Sequence, residues 1–172
     1  MLNSSARSLD IRLKCLKSFD LYVKRRRYIV TKKEEENRLL KRSRGFLETA
    51  EYQTGKGFYD LAVFSLEQGI QLFLKARVLT EGVDYPRTHS VRALLEMLSE
   101  LVPENKKSTV KNILENCLLE LGMLEDAYIT SKYVMREFTK QEAEKLTKSV
   151  KEIMKHVTGY SNKNRAEKTE SL

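Results

Sequence analysis

The chain has 172 residues, of which 41% are hydrophobic and 33% charged, with two prolines and seven glycines. These proportions suit one helical domain with a sizeable core and leave too little punctuation for a many-stranded sheet. No run approaches the roughly 18 uninterrupted apolar residues of a membrane span, and the first 30 residues are charged throughout without a signal-peptide core, so a cytoplasmic protein is expected. The formal net charge of +8 is unevenly spread. Residues 1–45 hold 14 Lys/Arg against 5 Asp/Glu, and residues 46–172 hold 18 against 19. The basic character therefore belongs to the N-terminal quarter.

Residues 1–30 read as a basic N-terminal extension. Ile11, Leu13 and Cys15 alternate with Arg12 and Lys14, and Phe19, Leu21 and Val23 alternate with Asp20 and Tyr22. This spacing favours a strand, and a basic amphipathic helix fits nearly as well. The run Lys24-Arg25-Arg26-Arg27 follows. It reads either as a solvated charged face or as a contact for phosphate or an acidic partner.

Residues 31–158 read as a helical bundle. From Lys32 to Thr54, Leu39, Phe46 and Ala50 share a face with Leu40 and Leu47 beside it, and Gly55 and Gly57 bracket a turn. The next helix, Phe58 to Thr80, is apolar nearly all round and belongs in the middle of the bundle. Its small residues Ala62, Ser65, Gly69 and Ala76 form a ridge, and a glycine there costs about 1 kcal/mol relative to Ala, which predicts a second helix passing close by. Gly82 ends this helix and Pro86 keeps the loop extended. Thr88 is the expected N-cap of a short helix with Val91, Leu94, Leu95 and Leu98 inward, broken by Pro103.

A helix over Lys106–Tyr133 carries Val110, Ile113, Leu114, Cys117, Leu118 and Leu121, with a bend expected at Gly122. Thr139-Lys140-Gln141-Glu142 is a capping box that opens a last helix, with Ala143, Leu146, Val150, Ile153 and Val157 inward and Gly159 as its stop. Residues 159–172 read as a disordered polar tail. The expected fold is all-α, an antiparallel up-and-down bundle of four long helices plus a short one.

Chemistry-bearing patterns are sparse. Cys15 and Cys117 lie far apart without a CxxC and read as reduced packing residues. His89 and His156 are the only histidines, so no metal site is expected. There is no Walker loop, GxGxxG or nucleophile elbow, no cofactor is expected, and Glu34-Glu35-Glu36 reads as a solvated helix face.

The ordered combination of a first helix ending near Gly55, the segment Tyr59-Asp60-Leu61-Ala62 with Glu67-Gln68-Gly69 and Leu74-Lys75-Ala76, the loop into Thr88-His89-Ser90, and the block Tyr128-Ile129-Thr130-Ser131-Lys132-Tyr133 resembles the HEPN domain, the "higher eukaryotes and prokaryotes nucleotide-binding" family. The resemblance covers roughly residues 33–157. It implies a helical bundle that dimerises, a nucleotide or RNA ligand, and in some members a small nucleotidyltransferase partner in toxin–antitoxin or defence systems. Nuclease members carry Arg, four to six residues, then His, paired across a dimer cleft. This chain departs from that pattern. The window after Lys132 holds Glu137, Phe138 and Thr139, and that after Arg136 holds Gln141, Glu142 and Ala143. Lysine also replaces the arginine of the family's Tyr-x-x-Ser-Arg-Tyr segment, keeping the charge without the two-pronged phosphate geometry. The metal-independent ribonuclease motif is absent, and no catalytic residue is assigned.

Two clusters remain as candidate nucleotide or anion sites. Arg87, Thr88 and His89 precede a helix start whose N–H groups favour an anion, although His89 also fits a packing role. Tyr128, Lys132, Tyr133 and Arg136 combine aromatic and cationic side chains that can stack a base and hold a phosphate, or else cap the core and stay solvated. Tyr59, Glu67 and Gln68 are candidates to face this region across a dimer interface. The expected function is a non-catalytic nucleotide- or RNA-binding and interaction module, a homodimer. The rivals are a divergent ribonuclease toxin built on Lys132, Arg136 and His89, and a purely structural dimeric assembly protein.

Overall fold

The computed structural model describes residues 31–133 and 137–169, with side chains throughout these except at Lys106, 130–133 and 159–169. The expected basic extension, including Lys24, Arg25, Arg26 and Arg27, lies outside the described residues. Those described form six helices: α1 (Lys32–Gly55), α2 (Tyr59–Thr80), α3 (Val91–Leu101), α4 (Glu104–Asn116), α5 (Leu118–Tyr133) and α6 (Lys140–Thr169). Among the described residues no helix is long and apolar enough to cross a membrane.

α2 is the axis of the fold, because an all-round apolar helix must be covered on every side. Its buried side chains include Val63, Leu66, Ile70, Phe73, Leu74 and Val78. They share one core with Leu94, Leu95 and Leu98 of α3, Val110 of α4, Leu121 and Leu124 of α5, and Leu146, Val150 and Ile153 of α6. α1 lies antiparallel along the small-residue ridge. The Ser65 hydroxyl donates to Gln53 Oε1 (2.8 Å), and the buried Ser43 hydroxyl donates to the Gly69 carbonyl (2.7 Å). A Cβ on Gly69 would stand 2.9 Å from Leu47 Cδ2 and 3.0 Å from its Cγ. The close helix passage expected at Gly69 is thus α1 itself. Further along, Leu39 of α1 packs with Leu72, Ala76 and Leu79.

Gly57 (φ 82°) and Gly82 (φ 84°) take the left-handed backbone that ends α1 and α2, a region in which other residues would be strained. The Thr139 capping box forms as its pattern requires. Thr139 N donates to Glu142 Oε2 (2.8 Å) and Glu142 N donates to Thr139 Oγ1 (3.3 Å).

Three local expectations are corrected. The short helix is capped by Ser90 rather than Thr88, with Ser90 Oγ accepting from Ala93 N at 3.0 Å. Thr88 instead forms a turn in which its hydroxyl accepts from Ser90 N (3.1 Å), so the helix starts two residues later. The long helix expected over Lys106–Tyr133 is two helices, and the break falls at Cys117 (φ −111°, ψ 19°), not at Gly122. Asn116 and Cys117 are weak helix formers, whereas Gly122 sits where the buried Leu121 and Leu124 hold the backbone helical. Finally, α6 continues through Gly159 to Thr169. One helical glycine costs only about 1 kcal/mol and no proline follows, so the segment expected as a disordered tail is helical in its backbone to Thr169.

Candidate functional site

Three polar residues interrupt the apolar surface of α2 at a four-residue spacing: Glu67, Gln71 and Lys75. The spacing stacks them on one helix face. Glu67 is 0% exposed and Gln71 3%. A carboxyl in that position must find donors. Gln68 Nε2 donates to Glu67 Oε2 (2.6 Å) and Gln71 Nε2 donates to Glu67 Oε1 (2.9 Å). Burial nevertheless dominates and pushes the Glu67 carboxyl up to about 7, against the opposing pull of the two amides and Lys75; Glu125 adds a small push upward. Burial in turn lowers the Lys75 ammonium, and Glu67 opposes this.

The loop between α2 and α3 crosses this polar face, tied down by α1. Lys32 Nζ donates to the Gly82 carbonyl (2.8 Å) and pairs with Asp84 (2.9 Å). The Tyr85 hydroxyl donates to Glu35 Oε1 (2.6 Å), which pushes its pKa up to about 12, helped by burial. The Lys75 ammonium lies 5.7 Å from the centre of the Tyr85 ring. So held, the loop delivers His89 to the polar face. Gln71 Nε2 lies 3.2 Å from both His89 Nδ1 and the His89 carbonyl oxygen.

Lys75 Nζ donates to Gln71 Oε1 (3.1 Å), while the Glu67 carboxylate takes the other end, and these two contacts fix the amide's orientation. The amide nitrogen is then a donor, and its two hydrogens face Glu67 Oε1, His89 Nδ1 and the His89 carbonyl. The exposed His89 ring stacks on Tyr128 of α5, with centroids 4.3 Å apart and planes 16° from parallel.

The start of α3 is closed by a carboxylate from within the chain. Ser90 Oγ donates to Glu125 Oε1 (2.6 Å), and the same oxygen accepts from Arg92 N (3.1 Å). The helix-start N–H groups expected to hold an external anion beside Arg87, Thr88 and His89 are therefore engaged by Glu125 and Ser90. An incoming phosphate would meet Glu125's charge there, so this site is better served by the His89 ring than by the helix terminus.

Of the residues singled out in the sequence, the fold brings His89 and Tyr128 into contact from two separate blocks. Arg87 is exposed on the loop two residues before His89, and Thr88 is engaged in the turn with Ser90. Lys132 and Tyr133 lie on the last turn of α5, their side chains outside the described residues, and Arg136 also lies outside them. Glu67 and Gln68 bond each other on α2, and Tyr59 is half-buried against the core. Gln71, Lys75 and Glu125 escaped the sequence reading. The first two had a signal: polar residues spaced by four in an otherwise apolar helix. Glu125 had none, since its role depends on where α5 crosses the start of α3.

Chemically, this is an arrangement for holding a ligand. It offers an imidazole oriented by a buried amide and stacked on a tyrosine, two residues along the loop from the exposed Arg87. Glu67, whose carboxyl is poised to titrate near neutrality, is closed off from solvent and cannot reach a substrate.

The HEPN domain family model matches residues 36–161. Among solved structures, the crystal structure of TT1696 from Thermus thermophilus is similar, with a TM-score of 0.57 and 24% identity, over 73% of this chain and 97% of that one. At that identity the likeness speaks for the fold alone. No curated protein matches the chain.

Proposed function

Because the chain belongs to the HEPN domain family, we propose that it acts as a non-catalytic nucleotide- or RNA-binding and interaction module. Its ligand site centres on His89 and Tyr128, with Arg87 and Thr88 on the loop and Lys132 and Tyr133 at the end of α5, and it includes Arg136 three residues further along the sequence. The observation that carries this reading is the His89–Tyr128 stack. Two distant blocks of sequence meet as an aromatic pair in which one ring is oriented by a buried amide, and such surfaces accept the flat face of a base while the flanking cations hold its phosphate.

The proposed setting is a cytoplasmic homodimer with a small nucleotidyltransferase partner in a toxin–antitoxin-like or defence system. Membership of the family supports this setting. In the same reading, the Lys24–Arg27 run contacts nucleic acid or an acidic partner, supported by the concentration of positive charge in residues 1–45.

Calorimetric titration of the full-length protein with ATP and GTP at low salt tests the reading. Binding should weaken about tenfold in Tyr128→Ala and in His89→Ala, in keeping with roughly 1–3 kcal/mol per stacked base. Absence of binding by the intact protein to ATP, GTP and a 12-nucleotide RNA at low salt would favour the structural assembly role. Cleavage of that RNA, lost in His89→Ala, would establish the divergent ribonuclease instead.

A further inference from the structure

α1 carries Arg38, Lys41, Arg42 and Arg44 within seven residues, with no acidic residue among them. All four are exposed. Arg38, Lys41 and Arg42 share one side of the helix through i,i+3 and i,i+4 spacing, turned away from the buried Leu39, Ser43 and Ala50. None of the four makes an ion pair among the described residues, and Arg44 only donates from Nε to the Leu40 carbonyl of its own helix (3.4 Å).

Six lysines elsewhere are paired. Lys32, Lys33, Lys107, Lys140, Lys145 and Lys151 are each held by a carboxylate. Like charges at i,i+4 weaken a helix, so the fold gains nothing from this cluster.

We propose that this face of α1 is a docking surface for a nucleic-acid phosphodiester backbone. Charge complementarity names the occupant. Three of the four cations are arginines, whose planar forks match pairs of phosphate oxygens. Cβ positions about 5–6 Å apart along the helix provide a row of positive charge that can follow a strand of phosphates. A membrane surface fits less well, because interfacial helices need an apolar face turned to the lipid. The apolar side of α1 is spent on α2, and the large exposed hydrophobics Tyr52, Phe58, Leu61, Leu118, Leu119 and Ile129 all fall outside residues 38–44.

The surface is also separate from the His89 site. α1 covers the Gly69 and Ala76 side of α2, whereas His89 meets Gln71, about 200° further round the helix. The inference therefore stands or falls independently of the nucleotide site.

The test is fluorescence anisotropy of a 5′-labelled 20-nucleotide oligo(U) with the full-length protein between 50 and 300 mM KCl. The triple variant Arg38→Gln/Lys41→Gln/Arg42→Gln should bind at least tenfold more weakly at 100 mM. Its slope of log K against log salt should be shallower by about 2, because each lost phosphate contact on a single strand removes roughly 0.7. Arg38→Lys/Arg42→Lys should keep the slope, since it keeps the charge.

Lys148→Gln/Lys155→Gln, on the exposed face of α6, should leave both affinity and slope as they are. ATP titration of the triple variant should match the parent, and its thermal midpoint should be no lower than the parent's. The proposal is overturned if the triple variant keeps the parental affinity and slope, or if the α6 variant weakens binding as much. It is equally overturned if poly-glutamate or phosphatidylserine vesicles bind this face while the oligonucleotide does not. Failure of ATP binding alone would count against the nucleotide site and leave this surface standing.

Discussion

Glu67 shows how much one side chain can impose on a helix. Burial raises its carboxyl to about 7, against 4.5 for the free group. The folded state therefore holds a proton that the unfolded chain has released throughout the interval between those values. The stability owed to this group is complete below pH 4.5, declines as pH rises, and is gone above pH 7. A displacement of this size corresponds to about 3 kcal/mol. Glu67→Gln should therefore raise the thermal midpoint at pH 8 and flatten the decline between pH 5 and pH 8. Thermal unfolding followed by circular dichroism at the two pH values checks this, and an unchanged decline would assign it to other groups. Gln71 carries the contact outward, since the amide that bonds Glu67 also lies 3.2 Å from His89 Nδ1.

Among the elements, the α1–α2 contact depends on the absence of a side chain. Gly69 gives up about 1 kcal/mol of helix propensity, and in return the Ser43 hydroxyl reaches its carbonyl and Leu47 lies where a Cβ would be. Alanine regains that propensity but presses on Leu47 Cγ, and the two effects largely cancel. A β-branched side chain cannot be accommodated, so Gly69→Val should destabilise by about 2–3 kcal/mol, read as a lowered urea midpoint. The start of α6 is a more local matter. Thr139→Ala removes a hydroxyl that both accepts from Glu142 N and donates to Glu142 Oε2, and should cost about 1 kcal/mol in the same measurement.

At the scale of the molecule, the two proposed surfaces lie on opposite sides of α2 and share no side chain. Effects on RNA binding of His89→Ala and of the triple α1 variant should then add, within about 0.5 kcal/mol, in a double-variant cycle by anisotropy. A larger coupling would mean that both sets of residues grip the same stretch of ligand. The core between them is continuous, so truncating it acts on the whole. Leu94→Ala, at a fully buried position, should cost about 2–5 kcal/mol in the urea midpoint.

Much of this architecture was legible in the chain. The 3.6-residue apolar repeats placed α1, α2 and the buried face of α6, and the Thr139 box placed the start of α6, because these signals depend only on neighbours within one or two turns. Two polar residues of the site carried a signal that went unread, since Gln71 and Lys75 follow Glu67 at the same spacing along an apolar helix. By itself, then, the sequence determined the helical class, the central place of α2, the close approach at Gly69 and the concentration of positive charge toward the N-terminus. Tertiary structure alone decided that Ser90 and not Thr88 caps α3, that Glu125 closes that helix start against an outside anion, and that His89 stacks on Tyr128. Helix periodicity is a local property, whereas the Glu125 and Tyr128 contacts join residues 33 to 39 positions apart and exist only where α2, α3 and α5 cross.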